Sequence, residues 1–292
     1  MLNLERMRGY RVPIAQDVCD PRSAILYALG VGAGLAAIDE SRFLFERDLT
    51  VLPTMALVLG TPGFWPMAAE LGWDWPRILH GEQSLRLHRP LQLGQVIHGR
   101  IEIGEVADKG PGKPALVRAK RILTTPTDQL IAEAEEIWVL RGEGGFGGDR
   151  SLVPLADGQC PDFPPDAVLD LPTAANQAML YRLTGDRNPL HIDAGTAAAA
   201  GFERPILHGL ATMGLVSRAL IHLCCGGDAS LLTRMHVRFT APVFPGETIR
   251  TEIWRDGDDI RFRASARERG VVVIDGGSAC VQGFVKEQEE VT

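Results

Sequence analysis

The chain has 292 residues, 45% hydrophobic and 23% charged, a composition typical of globular proteins and long enough for one large or two medium domains. Its net charge of −7 at pH 7 argues against nucleic-acid or anionic-membrane binding. No apolar run approaches the roughly 18 residues of a membrane span, and the start MLNLERMRGY lacks a signal-peptide core, so a cytoplasmic location is expected.

The five cysteines (Cys19, Cys160, Cys224, Cys225 and Cys280) are odd in number and form no C-x-x-C pair. That argues against a disulfide framework or a structural zinc site.

In chain order, residues 22–40 (RSAILYALGVGAGLAAIDE) read as a small-residue helix entering a glycine-rich turn. Residues 49–60 (LTVLPTMALVLG) form a buried apolar segment, the expected start of a core helix. From Ser84 the pattern becomes strand-like: LRLHRPLQLGQVIHGRIEIGEV alternates in part and breaks at Pro90 and Gly94. The turn ADKGPGKP (107–114) leads to two more strands, ALVRAKRILTT and IAEAEEIWVLRG. Residues 142–166 are dense in Gly and Pro with little periodicity and read as an interdomain linker.

The second half repeats the first. A helix over 209–224 precedes RMHVRFTAPVFPGETIRTEIWRD, DIRFRASARERG and VVVIDGGSACVQGFV, whose alternation gives each strand one buried face. At a constant offset Pro90 falls on Pro242, Gly94 on Gly246 and Ile97 on Ile249; upstream, Tyr27 meets Tyr181 and Asp39 meets Asp193. The expected unit is one long helix followed by a strand meander, present twice and packed side by side as an α+β arrangement. The divisions are a first repeat over 1–141, the linker over 142–166 and a second repeat over 167–292. The same alignment disposes of Gly30-Val31-Gly32-Ala33-Gly34 as a dinucleotide loop: no G-x-G-x-x-G is completed and no βαβ unit follows. It sets Gly32 opposite Asp186 and Leu57 near Gly209, so the first copy lacks the reactive groups and one active site per chain is expected.

That site is the stretch YRLTGDRNPLHIDAGTAAAAGFERPILHGLATM, residues 181–213. Asn188-Pro189 disfavours regular helix, and a loop lets Asp186, Asn188 and His191 converge on one point, with a carboxylate and an imidazole suited to acid/base work. Asp193 suits the N-cap of the following alanine-rich helix. His208-Gly209 opens an apolar helix whose first N–H groups lack internal partners. Gly209 is either a plain tight turn or a place where a carbonyl oxygen meets that positive end. For His208 a packed or hydrogen-bonded role is the plainer reading. His191 beside Asp193 has the makings of a metal pair, but further ligands at suitable spacing are missing, so no metal is expected.

YRLTGDRNPLHID and GFERPILHGL resemble the signature of the (R)-specific 2-enoyl-CoA hydratases, or hydratase 2, in the MaoC-like group of hotdog folds. LYALGVGA (26–33), FERDLTVLPT (45–54), LHGEQSLRLHRPL (79–91) and VADKG (106–110) are similar to the hydratase unit of multifunctional enzyme type 2, and together these blocks cover nearly the whole chain. The resemblance implies a double hotdog that adds water to a trans-2-enoyl-CoA, giving the (3R)-3-hydroxyacyl-CoA. Asp186 and His191 would be the acid/base pair, Asn188 would hold the water, and the Gly209 N–H would polarise the thioester. It further implies substrate contacts at His80, Gly81, Lys109, Arg187, Pro189, Leu190 and Phe239, and an accessory or structural acid at Glu46. The first repeat would shelter the acyl tail. No cofactor is implied, coenzyme A being part of the substrate, and a homodimer is expected. The rival readings are an acyl-CoA thioesterase on the same fold and a non-catalytic acyl-CoA-binding subunit.

Overall fold

The computed structural model describes residues 1–155 and 159–282. Near the N-terminus lie a short helix α1 (Leu4–Gly9) and a strand β1 (Ala15–Val18), neither announced by the apolar pattern. Helix α2 (Pro21–Gly30) starts where Asp20 accepts the Ser23 N–H at 3.0 Å and Pro21 presets the first turn. Four long strands follow: β2 (Ile78–Leu87), β3 (Val96–Asp108), β4 (Ala115–Thr124) and β5 (Leu130–Leu140). In β4 burial alternates strictly, with Ala115, Val117, Ala119, Arg121 and Leu123 on the buried face.

The second half repeats the order with a short strand β6 (Ala167–Pro172), helices α3 (Gln177–Tyr181), α4 (Ala194–Ala199) and α5 (Gly209–Cys224), and strands β7 (Leu232–Phe239), β8 (Thr248–Asp256), β9 (Asp259–Ala266) and β10 (Val271–Val281). The last expected strand extended to Val285, and its residues beyond Gln282 lie outside the described ones.

The ten strands form a single sheet, in the order β1-β3-β4-β5-β2-β7-β10-β9-β8-β6, with every pairing antiparallel. The two repeats are therefore fused edge to edge across β2 and β7, which goes beyond packing side by side. The register of that seam shows the internal symmetry directly. Ser84 pairs with His236, its own equivalent in the repeat, and Glu82 and Arg86 pair with Arg238 and Arg234 on either side. The equivalents Tyr27 and Tyr181 likewise meet, ring centroids 6.1 Å apart. Joining the two edges removes unpaired strand edges from the middle of the molecule. This is the α+β double hotdog that the resemblance implied.

The helices break the symmetry. Helix α5 is buried along most of its length and forms the centre of the main core with residues from both halves. Its first-half counterpart is one 3-10 turn, Pro53–Leu57, so the expected helix from Leu49 does not form. Pro62, Pro66 and Pro76, with Gly60, Gly63 and Gly72, stand where propagation would occur, and Pro cannot donate to a helical ladder. At Gly60 the chain crosses the sheet: φ is +61°, and a Cβ there would stand 2.7 Å from the backbone of Gly99. The carbonyls left at the end of the turn are taken by Arg121 of β4, whose guanidinium donates to Leu57 at 2.7 Å and Leu59 at 3.4 Å.

Two buried carboxylates missed by pattern reading hold separate segments together. Glu40 accepts two bonds of 2.6 Å from Arg218 of α5, and each side chain is almost wholly buried. Asp108 accepts N–H groups of Gly110, Gly145 and Gly147, so the first part of the Gly/Pro-rich stretch is clasped to the β3–β4 hairpin.

Candidate active site

The acid/base segment is built from turns, as the Asn-Pro pair requires. Gly185 (φ +131°) ends the 3-10 turn Arg182–Thr184, and a second 3-10 turn, Pro189–His191, begins at Asn188. Each short polar side chain braces the backbone two residues on. Asp186 Oδ1 accepts the Asn188 N–H at 3.1 Å, and Asn188 Oδ1 accepts the Leu190 N–H at 3.0 Å. With its oxygen so occupied, buried Asn188 keeps its amide N–H₂ as a donor. Asp193 is the N-cap of α4, accepting the Thr196 N–H at 2.7 Å.

His191 is buried, and its Nδ1 donates to the Ile206 carbonyl at 2.8 Å. This fixes the tautomer and leaves Nε2 without a proton in the neutral ring. Burial holds its pKa below the usual histidine value, against the opposing pull of the Asp186 charge. Donor atoms of Asp186, His191 and His208 all lie within 4.8 Å of one another.

His208 ends up in the centre of this group because it is the N-cap of α5. Its ring stacks on His191, with centroids 3.6 Å apart at 28°, and its Nε2 donates to the Asp186 carbonyl at 3.2 Å. Burial and the neighbouring His191 keep it neutral, its pKa well below the ordinary value. Both the packed and the hydrogen-bonded reading of His208 thus hold together.

A cleft of about 920 Å³, open mouth included, lies over these groups. Asp186, Asn188, Leu190, His191, Gly209, His80 and Phe239 all line it, brought from segments far apart in sequence. Its remaining wall is largely apolar. Phe64, Ile78, Leu79 and Trp138 come from the first half; Phe202, Ile206, Leu210 and Val243 come from the second. The N-terminus of α5 opens here: His208 makes no side-chain cap bond, so the first N–H groups of the helix and its positive dipole end face the cleft beside Gly209. A Cβ on Gly209 would stand 3.2 Å from the Phe239 ring, so the ring lies close against the bare Cα.

His80 packs between Trp138 and Phe239, with centroids at 4.6 and 5.1 Å, and burial lowers its pKa to about 4. Gly81 does not line the cleft; it sits at the β2 bulge, where a Cβ would meet Val139 and the Ile137 carbonyl. Arg187 is exposed next to Asp186, and Pro189 begins the turn; neither lines the cleft. Lys109 lies on the β3–β4 hairpin, away from the lining, with its N–H bonded to the Pro114 carbonyl. Glu46 is exposed on the 3-10 turn Glu46–Asp48, whereas the buried acid of that region is Glu40. Sequence reasoning also passed over Glu136 and Arg121, inward-facing charges on β5 and β4 behind Asp186. A charge at an inward position of an apolar strand was the available signal.

Residues 157–276 match the family described as MaoC like domain, and residues 18–142 match the MFE-2 hydratase 2 N-terminal domain. The 3-hydroxyacyl-thioester dehydratase Y of Mycobacterium tuberculosis is 45% identical over 90% of this chain and 93% of its own length. The peroxisomal multifunctional enzyme type 2 of Mus musculus is 37% identical over 91% of this chain, which spans 37% of that longer protein. Among solved structures, a MaoC-like dehydratase from Phytophthora capsici superposes with a TM-score of 0.82 at 32% identity, covering 96% of this chain and 99% of that one.

Proposed function

The chain belongs to the MaoC-like hydratase 2 family, and on that premise we propose that it adds water across the trans-2 double bond of enoyl-CoA thioesters, reversibly, to give (3R)-3-hydroxyacyl-CoA. It is a hydro-lyase of the enoyl-CoA hydratase type. The observation that carries the mechanism is the meeting of the Asp186 carboxylate and the His191 imidazole in one cleft, beside the open N-terminus of α5.

Conjugate addition needs one proton taken from water and another delivered to the α-carbon, through an enolate-like state with its charge on the thioester oxygen. In this reading Asp186 and His191 flank the water and share the two transfers, each worth a factor of roughly 10²–10⁴. Asn188 holds the water with its free amide donors. The Gly209 N–H receives the thioester oxygen, where one such donor is worth about 3 kcal/mol. The family resemblance implies that the addition is syn.

The first-half wall of Phe64, Ile78, Leu79 and Trp138 shelters the acyl tail, and coenzyme A serves as part of the substrate with no separate cofactor. His80 and Phe239 shape the cleft at the thioester, and Lys109 and Arg187 suit the phosphates of coenzyme A by charge. A homodimer in the cytoplasm completes the reading.

Incubation with crotonyl-CoA tests it. Loss of the enoyl absorbance with the (3R) alcohol as product is expected. Release of free coenzyme A without that loss points to a thioesterase, and a (3S) alcohol overturns the stereochemical assignment.

A further inference from the structure

Behind Asp186 lies a second chamber of about 460 Å³, open mouth included, lined by Leu57, Val58, Thr61, Arg121 and Glu136 among others. It shares Asp186, Phe64, Trp138 and Leu210 with the front cleft, so Asp186 forms part of the wall of both. Leu57 and Val58, at the end of the 3-10 turn Pro53–Leu57, form part of its wall.

Its floor is charged. Glu136 Oε1 accepts the indole N–H groups of Trp65 at 3.1 Å and Trp138 at 3.0 Å, and the residue lines the chamber. The Arg121 guanidinium is engaged by the Leu57 and Leu59 carbonyls and neutralises Glu136 only through space. A polar, roomy site with a carboxylate, a guanidinium and the Thr61 hydroxyl offers partners enough to hold water.

The chemistry gives such a site work to do. Two different groups serve one turnover: one ends with the proton it took from water, the other without the proton it gave to the α-carbon. Before the next turnover a proton must leave the first and another must reach the second. The front cleft is then filled by product or fresh acyl group. We propose that Glu136 holds a water against the rear face of Asp186 and that this pair resets the protonation of Asp186 through the rear chamber. When Asp186 carries the extra proton, its carboxyl gives that proton to the chamber water. The water passes one of its own to the Glu136 carboxylate, and solvent later takes it; the reverse order reloads Asp186.

Burial raises the Glu136 pKa, and Asp186 adds to the rise, while Arg121 and the two indoles oppose it, so the carboxylate is placed to take up and release a proton. Other groups around Asp186 are His191, His208 and Tyr181, of which His191 lines the front cleft.

The inference rests on the hydratase reading, and its test keeps the two separate. Wild-type enzyme and the Glu136→Gln and Val58→Phe variants are compared with crotonyl-CoA and with a long-chain trans-2-enoyl-CoA, in a single turnover with enzyme in excess and in the steady state. Glu136→Gln keeps an acceptor for both indoles; Val58→Phe fills the chamber without altering charge. The first turnover needs no reset, so its rate should stay within about twofold of wild type, while steady-state kcat should fall about tenfold with kcat/KM unchanged in both variants. Steady-state turnover at the wild-type rate in either folded variant overturns the proposal. So does an equal loss in both regimes, which marks Glu136 as purely structural. Loss confined to long acyl chains in Val58→Phe makes the chamber an acyl pocket and also overturns it. A wild-type enzyme that does not hydrate crotonyl-CoA removes the hydratase reading itself.

Discussion

The Phe239 ring lies against the bare Cα of Gly209, close enough that a Cβ on Gly209 would stand 3.2–3.3 Å from three of its carbons. This contact puts the first turn of α5 directly beneath the cleft, where a thioester oxygen can reach a helix N-terminal N–H. Gly209→Ala forces the ring to move and covers the approach. Turnover should drop roughly 10²-fold or more, as for loss of an oxyanion donor, with about 1–3 kcal/mol lost in stability. Steady-state kinetics beside urea unfolding check both, and a variant with near-normal turnover removes Gly209 from the mechanism.

Asp186 and His191 are expected to be separable from folding. Asp186 is half-buried, and its side-chain bond to the Asn188 N–H needs only an acceptor, which Asn supplies. Asp186→Asn and His191→Ala should each lower turnover by roughly 10²–10⁴-fold while leaving far-UV circular dichroism unchanged. His191→Ala also vacates the ring that stacks on His208 and frees the Ile206 carbonyl, so its thermal midpoint should fall more than that of Asp186→Asn.

Stability should fall on acidification through the histidine range. For His80, burial lowers the folded pKa to about 4, below the unfolded value near 6.5. Between those values the unfolded chain binds the extra proton and the folded one does not, so stability rises with pH across the window and is lost as pH falls toward about 4. His191 and His208 shift in the same direction and add to the slope. Urea midpoints measured from pH 7 to pH 4.5 should decline, less steeply in His80→Phe; a pH-independent midpoint contradicts the assignment of buried neutral imidazoles.

The Glu40–Arg218 pair is expected to hold α5 in place. Glu40→Gln leaves a guanidinium buried at the centre of the molecule and should cost about 3–5 kcal/mol. Exposed Glu46 provides the comparison, and Glu46→Gln should stay within about 0.5 kcal/mol of wild type. If Glu46→Gln instead abolishes turnover, that acid has a chemical role that its surface position does not suggest.

Much of this molecule is written in local sequence. The Asn188-Pro189 pair and Gly185 dictate a turn, and short polar side chains then brace it, so Asp186, Asn188 and His191 are identifiable from spacing and family resemblance alone. Alternation marks the long strands because one face of each must be buried, and the shared offset reveals the duplication. Helix α5 announces itself by its apolar run after His208-Gly209.

Other features depend on tertiary structure. The fusion of the repeats into one sheet is set by the pairing of β2 with β7, a contact between residues about half the chain apart that no local pattern encodes. The first-half helix is expected from apolar content over 49–60, yet Gly60 must cross Gly99 of the sheet, and that close approach ends the helix. Partners settle the charged residues: Glu40 is buried through Arg218, and Glu136 stands behind Asp186 because β5 and the Gly185–Asp186 turn share a chamber. Short-range chemistry chooses the groups able to move protons, and long-range packing decides which of them share a cavity, because burial and charge pairing are properties of the whole fold.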